Sequence, residues 1–422
     1  MVTKGHTDRP IAIRLINLEK KNTITIDQPA NSSFTPITVT VLPGRATSVD
    51  LTPFIVDIES GASMITTKKG IRIVGTEKFQ AFYEVISSRY NKDIFTLKGA
   101  SAVGTKFIVP SQNVWNLDTT RFTPKPTAEI NIVSVEDNNL ITVKTKVPLD
   151  GSTQSVNTFF LKKGETVSIK SLYGGPTKML TGTEVSAKKG IAVTISEDSM
   201  LKKSYGGCAD LIGDQVVPEE NLGNEYIVIR GGLTGNSSDD RDVVFITGVK
   251  DNTVVYYDTG SLIVDRGETK GILMKGGNNK TETLYSNDDF AVTQVSGYGC
   301  EVGMAQIPPL SCTGSKSVEV YRTTKESFYL IILVPMGGEN LFSTRPPNLF
   351  NGGMFSPVPN SNYMYLRKSF GTGQIKVGTS VRVENQKYSF QLGISNGGKK
   401  SGCNFGFFTD FIKMKTYSIF HF

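Results

Sequence analysis

The chain has 422 residues, 38% of them hydrophobic, with 42 Gly and 18 Pro. That is length for about two to four domains, and too apolar for a disordered polymer. The net charge of +7 comes from 46 basic and 39 acidic residues in mixed-sign neighbourhoods, not the basic stripe with interleaved aromatics of a nucleic-acid binder, so no nucleic-acid partner is expected.

Met1 to Lys20 carries an apolar patch broken by Arg14 and so has no leader-type apolar core, which places any secretion leader outside this sequence. Ile11–Ile16 is a predicted strand, Lys20–Asn22 a polar turn and Thr23–Ile26 the returning strand. Ser63–Ile73 reads as a hairpin around Lys68-Lys69-Gly70, and Thr183–Val193, Glu282–Val292 and the stretch from Gly378 to Phe390 carry the same hairpin signature. Gly104–Val109 opens a second set: Ile130–Val135, the acidic turn Glu136–Asn139, Leu140–Val143, and Thr183–Val193 around Lys188-Lys189-Gly190. A third set repeats the order with Gly223–Val228, Val243–Val249, Lys250–Asn252, Thr253–Tyr257 and Glu282–Val292. Ser327–Ile332 and the stretch from Gly378 to Phe390 form a fourth.

Two anchors recurring in one order mark an internal repeat of about a hundred residues. The expected units are 1–95, 96–215, 216–315 and 316–415, with a tail at 416–422. Each unit holds about six to eight short alternating strands, for which a sandwich is the ordinary solution. The expected fold class is therefore all-β, as tandem β-sandwich repeats. The apolar, basic end from Ile412 to Phe422 (IKMKTYSIFHF) reads as an edge strand, the stub of a further domain or a gene-model end. No stretch approaches the roughly 18 apolar residues of a membrane span.

The side chains of common catalysis are scarce. The two histidines, His6 and His421, stand near the ends of the chain, and neither a Ser-His-Asp or Cys-His set nor a His-rich metal site can be built from them. The acidic pairs Glu136-Asp137, Glu197-Asp198, Glu219-Glu220, Asp239-Asp240 and Asp288-Asp289 are expected in turns or loops, where such side chains bond nearby backbone. Two carboxylates across a cleft would still suit a carbohydrate-active enzyme or lectin, the alternative to a non-enzymatic reading. Asp239, Asp240 and Asp242 could hold calcium, although no EF-hand spacing is present, and no cofactor is expected. The Gly pairs at 231–232, 276–277, 337–338 and 352–353 lack a following Lys-Ser/Thr or helix and read as turns. Trp115 reads as a core plug.

None of the four cysteines sits in a C-x-x-C pair, and an even count in a β-rich chain favours disulfides in an oxidising compartment. Cys300 and Cys312 flank one Pro-Pro segment and are expected to bridge, leaving Cys208 and Cys403 to pair or stay free. Asn31, Asn236 and Asn279 head glycosylation sequons, which carry meaning only in a secreted eukaryotic protein.

Cys208–Pro218 (CADLIGDQVVP) with Leu222–Val228, Gly299–Ser315 (GCEVGMAQIPPLSCTGS), Phe390–Gly398 and Gly402–Phe411 (GCNFGFFTDF) resemble the N-terminal domain family of the IgGFc-binding protein, over about residues 60 to 411. The resemblance implies a secreted or cell-surface module for attachment, with an extracellular protein or glycan as partner and no catalytic residues. Immunoglobulin Fc is one such partner, which membership does not by itself imply.

Overall fold

A computed structural model describes residues 9–411 apart from 18, 87–91, 173–174, 203–208, 234–240, 276–279, 299–300, 313, 399–401 and the side chain of Cys312. The protein is all-β. Apart from 3-10 turns and one helical turn at Ile55–Ile58, the described residues form strands whose ladders are all antiparallel.

The strands fall in chain order into four groups. The first has β1 (Ile11–Asn17), β2 (Asn22–Asp27), β3 (Ile37–Val41), β4 (Arg45–Asp50), β5 (Thr66–Thr67), β6 (Arg72–Gly75), β7 (Phe79–Val85) and β8 (Asp93–Leu97). Here β4-β1-β7-β8 and β3-β2-β6 are separate sheets, while β5 crosses over to pair with the second group. The second has β9 (Val103–Ile108), β10 (Asn116–Leu117), β11 (Ala128–Ser134), β12 (Asn139–Lys144), β13 (Val156–Leu161), β14 (Thr166–Lys170), β15 (Glu184–Leu201) and β16 (Asp210–Val216). The third has β17 (Gly223–Ile229), β18 (Val243–Gly248), β19 (Thr253–Tyr257), β20 (Gly260–Val264), β21 (Thr269–Leu273), β22 (Thr281–Tyr298) and β23 (Glu301–Gln306). The fourth has β24 (Ser317–Tyr321), β25 (Ser327–Pro335), β26 (Phe342–Arg345), β27 (Ser356–Pro357), β28 (Tyr363–Phe370), β29 (Ser380–Asn385), β30 (Gln391–Gly397) and β31 (Cys403–Phe407).

Sequence pattern explains the layering. β18 (VVFITG) is a nearly continuous apolar run buried on both faces, and β11 (AEINIVS) is buried on both faces too, its polar Glu129, Asn131 and Ser134 included. β12 (NLITVK) instead alternates buried and open positions, as an outer strand with one wet face should. The 18-residue β15 and β22 each serve two layers, one end pairing with β12 or β19 and the other with β11 or β18. Register shifts between Ser186 and Ile191, and opposite Gly223 to Glu225, mark the bends. In the first and fourth groups the same strand is broken in two, as β6 with β7 and β29 with β30.

The groups meet through their last strands, which close a ring in which β8 packs on β16, β16 on β23, β23 on β31 and β31 on β8. These strands do not ladder with one another. Side chains cap the outward-facing backbone groups instead. Asp210 and Asp214 on β16 accept from the N–H groups of Val302 and Gln306 on β23, both at 2.8 Å. Glu301 on β23 accepts in turn from the Gly402 N–H that leads into β31. Gln215 Oε1 takes the N–H of Lys98 just past β8, and Gln306 Oε1 takes that of Val217 just past β16. Thr96 on β8 donates to the Phe407 carbonyl of β31 at 2.7 Å. Gly303 permits the close approach: a Cβ there would stand 2.7 Å from the Cys403 carbonyl oxygen.

Three expectations need correction. Lys68-Lys69-Gly70 and Lys188-Lys189-Gly190 are not equivalent, because Gly70 donates to the Gly164 carbonyl in a loop against the second group, whereas Gly190 lies inside β15. The true counterpart of Lys189 is Glu77: their N–H groups bond Asn139 Oδ1 at 2.9 Å and Asn22 Oδ1 at 3.1 Å. Ser63–Ile73 accordingly forms no hairpin, since β5 and β6 belong to different sheets, and neither do Thr183–Val193 and Glu282–Val292, which run along the single strands β15 and β22, nor the stretch from Gly378 to Phe390, whose strand β29 lies in a different sheet from β30. Glu197-Asp198 and Asp288-Asp289, expected in turns or loops, lie within β15 and β22, the first pair buried.

Asp214 also holds the buried Lys98 ammonium. Burial opposes both charges, and each offsets that cost for the other. Asp214→Ala leaves Lys98 and the Gln306 N–H without this partner and is expected to destabilise the chain by about 3–5 kcal/mol, read from urea unfolding.

Candidate binding surfaces

The acidic turns are built by a repeated device. Asp137 Oδ1 accepts from Lys163 N and Asp251 Oδ1 from Arg266 N, each at 3.0 Å, fastening the turn before β12 or β19 to the turn after β13 or β20. That second turn is Lys162-Lys163-Gly164-Glu165 in one group and Asp265-Arg266-Gly267-Glu268 in the next, with both glycines at positive φ. Glu165 and Glu268 close each turn onto the N–H three residues back, at 2.8 and 3.0 Å. The shared Gly-Glu-Thr was the missed sequence signal. Asn138 and Asn252 take the left-handed conformations that Asn tolerates. Glu136 accepts from Gly190 N at 3.3 Å, and Lys20–Asn22 occupies the matching turn of the first group.

Other acids also serve the fold. Arg266 bonds Glu184 and Glu219, both at 2.7 Å, clamping the second group to the third. Asp288 pairs with Lys250. Asp242 is fully buried and accepts from Gly231 N at 2.7 Å and Gln294 Nε2 at 2.5 Å, while Asp239 and Asp240 lie outside the described residues. Among the described residues no group of three or more His, Cys, Asp or Glu could hold a metal ion. Glu197 is held by Ser111 and Gln112 in the core, and burial pushes its carboxyl up to about 7. Glu301 is likewise pushed up to about 7, by burial first.

Two kinds of surface are left open. One is a cleft of about 870 Å³ between the first and second groups, lined by Ile73, Phe79, Phe95, Leu97 and Val133 and bordered by Phe408 to Asp410. The other is the outer face of corresponding hairpins. On β12–β13, Leu140 and Phe160 stand directly opposite one another, Phe160 61% exposed, with Val156 near the far end. On β19 and β22, Tyr256 and Tyr285 are opposite and stacked at 5.0 Å, both about half exposed, with Ile263 open on β20. The matching face of β2–β3 carries threonines, Thr25 and Thr38 lying 3.3 Å apart.

Trp115 is partly buried and packs edge-on against Phe245 of the third group at 5.7 Å. Asn31 is tied into its own turn, donating to Gln28 at 2.9 Å and accepting from Ser33. Asn236 and Asn279, both histidines, Cys208, Cys300 and the Cys312 side chain lie outside the described residues. Cys403 is a buried free thiol whose Sγ lies 3.9 Å from Ser395 Oγ, and burial raises its pKa.

The family described as IgGFc binding protein matches residues 93–387. The chain belongs to this family. No curated protein and no solved structure matches it. Within the IgGFc-binding family match lie three of the four ring strands, β8, β16 and β23. Three of the segments that carry the resemblance in sequence hold ring strands: Cys208–Pro218 contains β16, Gly299–Ser315 contains β23 and Gly402–Phe411 contains β31.

Glu197 and Glu301 give a pH dependence of defined sign. Their folded values lie above the ordinary 4.5, so the folded chain binds protons that the unfolded chain releases. The resulting stability is complete below about pH 4.5 and lost as pH rises through about 7. Glu197→Gln removes its share: at about pH 8 the variant is expected to be more stable by roughly 3 kcal/mol, at about 1.4 kcal/mol for each tenfold change in proton affinity, with little difference near pH 4. Urea midpoints across that range check it, and an unchanged slope would contradict it.

Proposed function

We propose that this member of the IgGFc-binding family is a non-enzymatic extracellular or cell-surface module for binding or adhesion. It engages a protein partner, or a glycan, through the outer hairpin faces of its sheet groups. The observation that carries the reading is a pair of exposed apolar patches on the outer strands of the second and third groups, Leu140–Phe160 between β12 and β13 and Tyr256–Tyr285 between β19 and β22. Contiguous exposed apolar surface of this kind is characteristic of interaction sites. Aromatic residues are also the side chains that dominate binding hot spots.

The acids support the same reading. Asp137, Asp288, Glu219 and Glu197, acids that a carbohydrate-active cleft could have used, are engaged in turns, in ion pairs or in the core, where they do structural duty. Immunoglobulin Fc is one extracellular protein to include among the partners screened.

Two patches on one body also imply multivalency, in which a second weak contact forms at high effective concentration. The full chain is to be screened against surface proteins and glycans. Phe160→Ser and Tyr256→Ser, neither in the core, are each expected to weaken capture by about tenfold, and the double variant by about 10²-fold or more. Capture indifferent to both substitutions, or turnover of any glycan, would contradict the proposal.

A further inference from the structure

The second and third groups present equivalent outer faces. One row of directly opposed residues crosses β13, β12, β15 and β9 as Thr158, Thr142, Ser186 and Lys106. The matching row crosses β20, β19, β22 and β17 as Ser261, Tyr256, Tyr285 and Glu225. Landmarks on the flanking residues fix the match. Asn138 and Asn252, both at positive φ, stand four residues before Thr142 and Tyr256. The turns that begin at Lys162 and Asp265 stand four residues after Thr158 and Ser261. Lys106 and Glu225 each precede a fully buried aromatic, Phe107 or Tyr226.

Charge is reversed between the two faces. Opposed residues share a face of the sheet, and so do residues two apart along a strand, so Lys144 and Asp258 join these rows and Lys162 and Asp265 follow at their ends. Lys106, Lys144 and Lys162 of the second group therefore correspond to Glu225, Asp258 and Asp265 of the third, and all six are exposed. Lys144 is paired with Glu184, while Asp258 and Asp265 accept from Thr283 N and Asn252 N. Lys106 and Glu225 project from their strands into solvent, with no ion-pair partner among the described residues. Lys270, beside the third face, is engaged by Glu268.

Each charged rim surrounds apolar surface. Leu140, Val156 and Phe160 stand open on the second group, and Tyr256, Ile263 and Tyr285 on the third. Both faces are exposed in the same chain and so do not cover one another. Between two copies a basic rim can meet an acidic one, with the apolar centres in contact.

We infer that the second-group face of one copy docks on the third-group face of another, so that a second copy of this chain is the partner of these surfaces. The inference rests on the reading of the outer faces as binding surfaces and names their occupant. Apolar contact supplies the affinity and the rims choose the pairing, because two like faces would set like charges together. The contact is heterologous: each docked copy keeps one face for the next, which builds a ring if the rotation closes and a filament if it does not.

Sedimentation velocity on the unaltered full-length chain at low salt, where exposed charges are least screened, tests this. The average mass should rise with protein concentration. Lys106→Glu and Glu225→Lys, both on exposed positions, should each weaken self-association by about tenfold or more. An equimolar mixture of the two variants should recover the pairing affinity of the unaltered chain, since each variant retains the face that the other has lost. A single copy at every concentration up to about 1 mM overturns the inference, as does self-association that ignores both reversals or that the mixture fails to recover. If the chain stays single while Phe160→Ser and Tyr256→Ser still weaken capture of another protein, this inference falls and the proposed function stands.

Discussion

The architecture depends on how four strands with one unladdered edge each are brought together. A buried backbone N–H without an acceptor costs about as much as a lost hydrogen bond, so a strand edge turned into the protein must be satisfied. Here it is satisfied by side chains from the neighbouring group: Asp210 and Asp214 of β16 cap β23, Glu301 of β23 caps the entry to β31, and Gln215 and Gln306 cap the segments past β8 and β16. Because each cap belongs to a different group from the edge it serves, no group's edge is complete alone. The caps must be buried to work, and burial raises the carboxyls of Asp214 and Glu301.

The ring turns repeated sheets into one body with fixed outward faces. Arg14, paired with Glu84 on β7, lies 3.8 Å from the ring of Tyr321 on β24, joining the first group to the fourth. The core of the second group is continuous with Phe245, Val295 and Met304 of the third. A cut near residue 215 would therefore divide the ring at β16–β23 and β31–β8 together. The Leu140–Phe160 and Tyr256–Tyr285 patches are carried at a set spacing, which favours partners with matching repeats.

The all-β class was legible because alternation and turn residues recur throughout, and the order strand, polar Asn-containing turn, strand recurs at Lys20–Asn22, Glu136–Asn139 and Lys250–Asn252. The Lys-Lys-Gly-Ile echo misled because four residues of turn chemistry recur easily, while the equivalence resides in the Asn side chain that bonds the bend of the two-layer strand. The ring was hidden for a different reason. Asp210, Asp214 and Glu301 sit in apolar runs where an acid looks like an outward-facing residue, and only the three-dimensional closure reveals which backbone they cap. The hint present was an acid and a Gln at corresponding places in two apolar strands, Asp210 with Gln215 and Glu301 with Gln306. The outer aromatics were invisible as a set because Phe160 and Tyr256 alternate in strands like any core residue.

The central claim, that capped ring strands make the groups a single cooperative structure, is tested by the thermal unfolding of the intact chain. Calorimetry is read alongside Trp115 fluorescence, which reports the second and third groups, and far-ultraviolet circular dichroism, which reports all four. The account expects one transition with coincident midpoints for all three signals. Separate transitions, or a 1–215 fragment that unfolds with the midpoint of the whole chain, would contradict it.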